Sequence, residues 1–146
     1  MSGWVSKTDH TNGIPTTRYD GEMKDGLADG HGILRGSEVE YTGEWRRGSL
    51  VSTNGTIKYA EGNWYRGDLK DGFKTGRGEE LMTGGVRYVG QFKDDRFNGK
   101  GEMVFPNGGR ITGEWRDSKL DGVGMCHPKG GDSFKVKQTE SGIERL

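Results

Sequence analysis

Residues 88–110 read YVGQFKDDRFNGKGEMVFPNGGR, and residues 111–132, ITGEWRDSKLDGVGMCHPKGGD, begin the same pattern again. Repetition of this kind decides the fold, because every copy meets the same burial problem and solves it in the same way. Taking the opening aromatic or aliphatic residue as a marker places copies at Tyr19, Tyr41, Tyr65, Tyr88, Ile111 and Phe134, which are 22, 24, 23, 23 and 23 residues apart. Glycine stands two places after the first five markers, at Gly21, Gly43, Gly67, Gly90 and Gly113. A large apolar residue stands four places after them, at Met23, Trp45, Leu69, Phe92 and Trp115. All three positions share one parity, whereas the positions between them are mostly polar, which predicts a strand with one covered face. Mid-strand glycine is unfavourable on propensity. Its recurrence implies close approach, with a ring of the same or a neighbouring strand lying over the bare backbone.

Tight-turn signals follow each strand, as in Lys24-Asp25-Gly26, Arg46-Arg47-Gly48 and Lys70-Asp71-Gly72. A second glycine pair then opens a return strand in Gly30-His31-Gly32, Gly76-Arg77-Gly78, Gly99-Lys100-Gly101 and Gly122-Val123-Gly124. Copy two departs, with Ser52 and Asn54 in place of glycines and Gly55 one place late, which accounts for its longer spacing. Each copy therefore reads as a β-hairpin that cannot bury its own apolar face and stacks on its neighbours. The expected organisation is an N-terminal cap with a partial repeat over 1–18, repeats at about 19–40, 41–64, 65–87, 88–110 and 111–133, and a capping strand and tail over 134–146. Lys135 and Lys137 are expected to face outward on the last edge and discourage further pairing. The terminal SGIERL reads as a short appendix.

Composition narrows the function. At 146 residues the chain has the length of one ordinary domain. Lys and Arg number 22 and Asp and Glu number 22, so there is no global field for nucleic acid. One cysteine, Cys126, excludes an internal disulfide, and the opening MSGWVSKTDHTNG has no apolar run of a signal peptide or membrane span, from which a soluble, cytoplasmic protein is expected. Gly-x-Gly recurs, but each instance opens a return strand and is not followed by a helical pattern, so nucleotide binding is not indicated. His10, His31 and His127 have no metal-ligand spacing. Neither a Ser-His-Asp nor a Cys-His arrangement is readable. No cofactor, metal or catalytic residue is expected, and the chain reads as a non-enzyme.

The pattern Tyr-x-Gly-x-(Trp or Phe), a turn, Gly-x-Gly and a second turn, carried most closely by YTGEWRRG and ITGEWRDS, resembles the MORN (membrane occupation and recognition nexus) repeat from about Tyr19 to Asp132. The resemblance implies an all-β repeat protein of stacked antiparallel β-hairpins forming an elongated, twisted single-layer sheet, with an aromatic groove along one face. It also implies a scaffold that holds protein partners or self-associates.

A single-layer sheet has no second layer to cover its apolar face, so the aromatic stripe is expected to stay open as an interaction surface. Tyr41, Trp45, Tyr65, Tyr88, Phe92 and Trp115 are the candidates for the floor of a groove that binds a partner peptide or helix, or a second copy of the chain. The alternative is recognition of anionic phospholipid, such as a phosphoinositide, by Arg46, Arg47, Lys70, Lys74 and Arg77 at one set of turns.

Overall fold

A computed structural model describes residues 4–11 and 14–146, with side chains from residue 17 onward. It contains thirteen strands: β1 Trp4–Thr11, β2 Ile14–Lys24, β3 Leu27–Gly36, β4 Val39–Arg46, β5 Ser49–Tyr59, β6 Trp64–Lys70, β7 Phe73–Leu81, β8 Arg87–Lys93, β9 Arg96–Val104, β10 Arg110–Arg116, β11 Lys119–His127, β12 Phe134–Thr139 and β13 Gly142–Arg145. The only helical segment among the described residues is a 3-10 turn at Thr83–Gly85. Where length suggested one unit, the chain divides into two compact units, residues 1–73 and 74–146. Local nearest-neighbour contact is what a stack of hairpins makes.

In the first unit, β1 to β6 pair antiparallel, each with the next in sequence. In the second, β7 to β13 do the same. Within a hairpin this follows from its tight turn, because a two-residue connection leaves the returning strand no other neighbour; connections of four to six residues join β5 to β6, β7 to β8, β9 to β10 and β11 to β12. The central residues of the turns within repeats both take positive φ, as in Asp71 (52°) and Gly72 (81°), or Asp94 (48°) and Asp95 (71°). This is the type I′ combination that matches strand twist.

The hairpins β2–β3, β4–β5, β8–β9 and β10–β11 carry a bulge at their glycines. Between the pairs Gly21–Gly32 and Met23–Ala28, Glu22 alone faces Asp29, Gly30 and His31. The same occurs at Gln91 in the fourth hairpin. Gly30 and Gly99 sit there at φ 99° and 106°, which a β-carbon would resist. The Glu22 carboxylate accepts from His31 N at 2.7 Å, and the Gln91 carboxamide oxygen accepts from Lys100 N at 2.9 Å. Copy two absorbs its extra residue here, since Gly43 and Glu44 face five residues, 51–55.

Successive turns are tied together by one backbone bond per repeat. Gly48 N donates to Ala28 O at 2.8 Å and Gly72 N to Leu50 O at 3.2 Å in the first unit. Asp95 N donates to Lys74 O and Ser118 N to Phe97 O, both at 3.1 Å, in the second. In the second unit the glycine of this step is replaced by Asp95 and Ser118. Their side chains return the bond, since Asp95 Oδ1 accepts from Lys74 N at 2.8 Å and Ser118 Oγ from Phe97 N at 3.2 Å. Asp95→Ala keeps the positive φ and removes a charged acceptor, so it is expected to cost about 2 kcal/mol. Asp95→Gly relieves the φ and is expected to cost less than half as much. Urea denaturation gives the order, and a costlier glycine variant would assign the turn's stability to something other than backbone conformation and this carboxylate.

The ends differ from expectation in one respect. Phe134–Thr139 is not the last edge, because residues 142–145 form β13 against it, and Leu146 N donates to Lys135 O at 2.9 Å. A short turn with Gly142 at φ 127° lets the tail fold back as a strand. At the N-terminal end β1 pairs with β2 with a register shift between Asp9 and His10, and β2 runs on through Pro15; residues 1–3, 12 and 13 of the expected 1–18 cap lie outside the described residues.

Candidate interaction face

The repeated parity brings the marker tyrosines, the residues four places later and the first apolar residue after the turn onto one face. Tyr19 and Tyr88 reach over the glycines beside them: a β-carbon built on Gly90 would lie 2.8 Å from Tyr88 Oη, and one on Gly21 2.7 Å from Tyr19 Oη. The hydroxyls then donate to the carbonyl three residues on, Tyr19 to Glu22 O at 2.8 Å, Tyr65 to Asp68 O at 2.7 Å and Tyr88 to Gln91 O at 2.9 Å. The strand glycines thus make the room expected of them. Indole N–H groups of the next repeat donate over the same gap, Trp45 to Gly32 O and Trp115 to Gly101 O, each at 3.0 Å.

Burial and charge act on these hydroxyls. Burial pushes Tyr88 from the ordinary 10.0 up to about 12. Burial also raises Tyr19, followed by the carboxylates of Glu22, Asp29 and Glu44. A phenol whose folded pKa lies above its unfolded value keeps its proton between about pH 10 and pH 12 while the unfolded chain releases it. The contribution of this hydroxyl is therefore constant below pH 10, and stability is expected to fall as pH rises through that window. Denaturation midpoints measured across the range should show this slope, and Tyr88→Phe should flatten it; an equal slope in the variant would remove Tyr88 as its cause.

The rings are far less open than a one-layer sheet suggested. Tyr65 and Tyr88 are fully buried, and Phe92, Trp115 and Trp45 are 4 %, 3 % and 9 % exposed. Of the six candidate floor residues only Tyr41 is half-buried. The cover comes from the repeat itself and from the next one: Leu50, Phe97 and Leu120, paired across their hairpins with Trp45, Phe92 and Trp115, are buried beside them, and Trp115 of the following repeat meets Tyr88. In the second unit Phe97 stacks on Tyr88 with centroids 3.8 Å apart and planes 2° from parallel, and Phe92 and Trp115 meet Tyr88 edge-on at 5.1 and 5.7 Å. These rings hold their own hairpins together. Expecting them all open was wrong, because parity assigns a face without saying what lies on it.

One part of the face remains accessible. In the first unit a hollow of about 270 Å³ is bounded by Tyr19, Met23, Leu27, Ala28, Leu34 and Trp45. It adjoins a second of about 200 Å³ that continues past Leu34 and Trp45 to Tyr41, Leu50 and Asp71.

The basic candidates separate. Arg46, Arg47 and Lys70 are exposed at hairpin ends, and Arg77 is exposed within β7. Lys74 is no turn residue: it lies inside β7, 9 % exposed, with Nζ on the Glu80 carboxylate. Desolvated and paired, it offers no charge to a lipid surface. Among the described residues no group of three or more His, Cys, Asp or Glu side chains could hold a metal ion. No helix of the described residues is long and apolar enough to cross a membrane.

Hairpins in register, tyrosines over paired glycines and a backbone bond from turn to turn define a β-hairpin repeat protein. The MORN repeat profile matches residues 19–37, 41–50, 65–86, 88–110 and 112–132, more than half of the chain, which belongs to the MORN repeat family. The chain is also similar to alsin of Rattus norvegicus, with 31 % identity over 85 residues, a match that spans 51 % of this chain and 5 % of alsin. MORN repeats are generally involved in protein or membrane interactions.

Proposed function

We propose that this chain is a non-enzymatic scaffold that binds a peptide or helix of a partner protein, or a second copy of itself, on the aromatic face of its first unit. The observation that carries this reading is the pair of adjoining hollows at Leu34, Tyr41 and Trp45, where the apolar face is open to an occupant. In the second unit the corresponding rings are spent on one another. Of the groove candidates, Tyr41 and Trp45 therefore carry the contact, whereas Tyr65, Tyr88, Phe92 and Trp115 build the support. A cytoplasmic setting suits the free thiol of Cys126.

Anionic phospholipid is the second reading, and one feature favours it. Four of the five hairpin turns pair their base with an acid, at Asp25, Asp71, Asp94 and Asp117, but the Arg46-Arg47 turn has none. Selection of a random peptide library against the protein separates the two. Binders are expected that Tyr41→Ala loses and Arg46→Glu with Arg47→Glu retains, with circular dichroism showing each variant folded. Flotation with phosphoinositide vesicles that the charge reversals abolish, alongside failure to select any peptide, would replace the scaffold reading with the lipid one.

A further inference from the structure

Copy two breaks the ladder on both sides of one strand. Towards β4 the pairing of β5 jumps from Leu50, opposite Trp45, to Thr56, opposite Thr42; towards β6 it jumps from Ser52, opposite Leu69, to Gly55, opposite Gly67. Thr53 and Asn54 therefore have no ladder partner in either direction, although β5 lies inside the sheet of the first unit. A long bond from Asn54 N to Ser52 Oγ, at 3.4 Å, holds this point. Asn54 is exposed, its carboxamide makes no hydrogen bond with another described residue, and a glycine follows it. Two other described asparagines precede glycine, and both are better held. Asn107 Oδ1 accepts from Gly109 N at 2.8 Å while Gly108 N donates to Phe105 O at 2.9 Å. Asn98 is half-buried, and the Gln91 side chain, bound to Lys100 N at 2.9 Å, lies against the backbone of Gly99.

We propose that Asn54 is a self-modification site, at which the chain's own Gly55 amide converts the asparagine to aspartate and isoaspartate ahead of Asn98 and Asn107. The Gly55 nitrogen attacks Asn54 Cγ, the side-chain nitrogen leaves as ammonia with the amide proton, and a succinimide ring closes. Water then adds to one of the two ring carbonyls and opens it, giving aspartate at the one and isoaspartate at the other. Glycine admits the attack because it has no side chain to crowd the approaching nitrogen. The chain must leave strand geometry for the ring to close, which is least costly where no ladder bond has to break. At Asn107 both reacting groups are engaged, and at Asn98 the Gln91 side chain must first withdraw. The isoaspartate product lengthens the main chain of β5 by one carbon. Either product adds a carboxylate next to Thr53, which lines a hollow of about 560 Å³ together with Glu44 and Asp68. Like charge and a longer strand both loosen this repeat, so the modified chain is expected to unfold at a lower urea concentration.

The test incubates the whole chain in mildly alkaline buffer and maps its peptides by mass spectrometry at successive times, beside a sample kept unfolded in urea. In the folded chain Asn54 is expected to react about tenfold faster than Asn98 or Asn107. In urea the three rates should converge to within about threefold, because all three asparagines share a following glycine. Deleting Thr53, which returns copy two to the 23-residue spacing of its neighbours, should bring the folded rate at Asn54 down towards the other two. If that variant does not fold, the comparison of folded and urea-treated parent chain carries the decision. Equal rates at the three sites in the folded chain would overturn the proposal, as would a folded deletion variant in which Asn54 reacts as fast as before. So would an Asn54 that leads by the same factor in urea, which would assign its reactivity to neighbouring sequence and not to the broken ladder.

Discussion

Gly90→Val is expected to unfold the second unit or bring it close to unfolding, with a loss of about 4 kcal/mol. Gly90 has no positive φ, so space alone is at issue. A β-carbon there would stand 2.5 Å from Gly101 Cα, 2.6 Å from Lys100 O and 2.8 Å from Tyr88 Oη. Two of these atoms are backbone of the paired strand and cannot swing aside, and the third would be pushed off Gln91 O, leaving a buried hydroxyl and carbonyl without their bond. Overpacking and an unmet polar pair thus add at one position. Gly108→Ala is the control. Gly108 sits in the loop between β9 and β10 at φ 93°, and a β-carbon there would first meet Lys129 Cδ at 3.4 Å, so the cost is backbone strain of about 1 kcal/mol. Urea denaturation of both variants decides; equal losses would mean that the tyrosine does not need the bare backbone beneath it.

Glu80→Gln is expected to cost about 3 kcal/mol, because it strands a buried ammonium. Lys74 stands nine places after its marker, where other repeats have Leu50, Phe97 and Leu120, all buried. Glu80 lies opposite Tyr88 on one side, and Met103 lies opposite it on the other. The ion pair therefore fills a slot that is apolar in the remaining repeats, with the two side chains 11 % and 14 % exposed. Taking two charges out of water costs more than their attraction returns unless both remain, so removing one partner is worse than removing both. Lys74→Leu with Glu80→Met copies the apolar version of the repeat and is expected to match the parent or exceed it by about 1 to 4 kcal/mol. A double variant as damaged as the single one would show that the pair holds the second unit in a way that apolar packing cannot replace.

Much of this architecture is legible without coordinates, for local reasons. A two-residue turn of Asp-Gly type can only return the chain beside itself, and a period of two can only place Tyr88, Gly90 and Phe92 on one side, so hairpin, order and face follow from spacing. The strand glycines are legible as sites of close approach because nothing else accounts for glycine at a fixed point in a strand. The tail is not legible, since Gly142–Arg145 becomes a strand only through an edge supplied by β12. Lys74 misleads for a related reason: next to Asp71-Gly72 it reads as an exposed base, and its burial depends on Glu80 arriving from six residues on. The open face is where the tertiary structure decided most. Parity put six aromatic residues on one side, but whether each ring meets water depends on what packs over it: Phe97 and the next repeat's Trp115 cover Tyr88, whereas Tyr41 stays half-buried beside a hollow. The sequence by itself determined the hairpins and which way their rings point; only packing between neighbouring repeats decided which rings are core and which border a hollow, because burial is a property of what arrives from elsewhere in the chain.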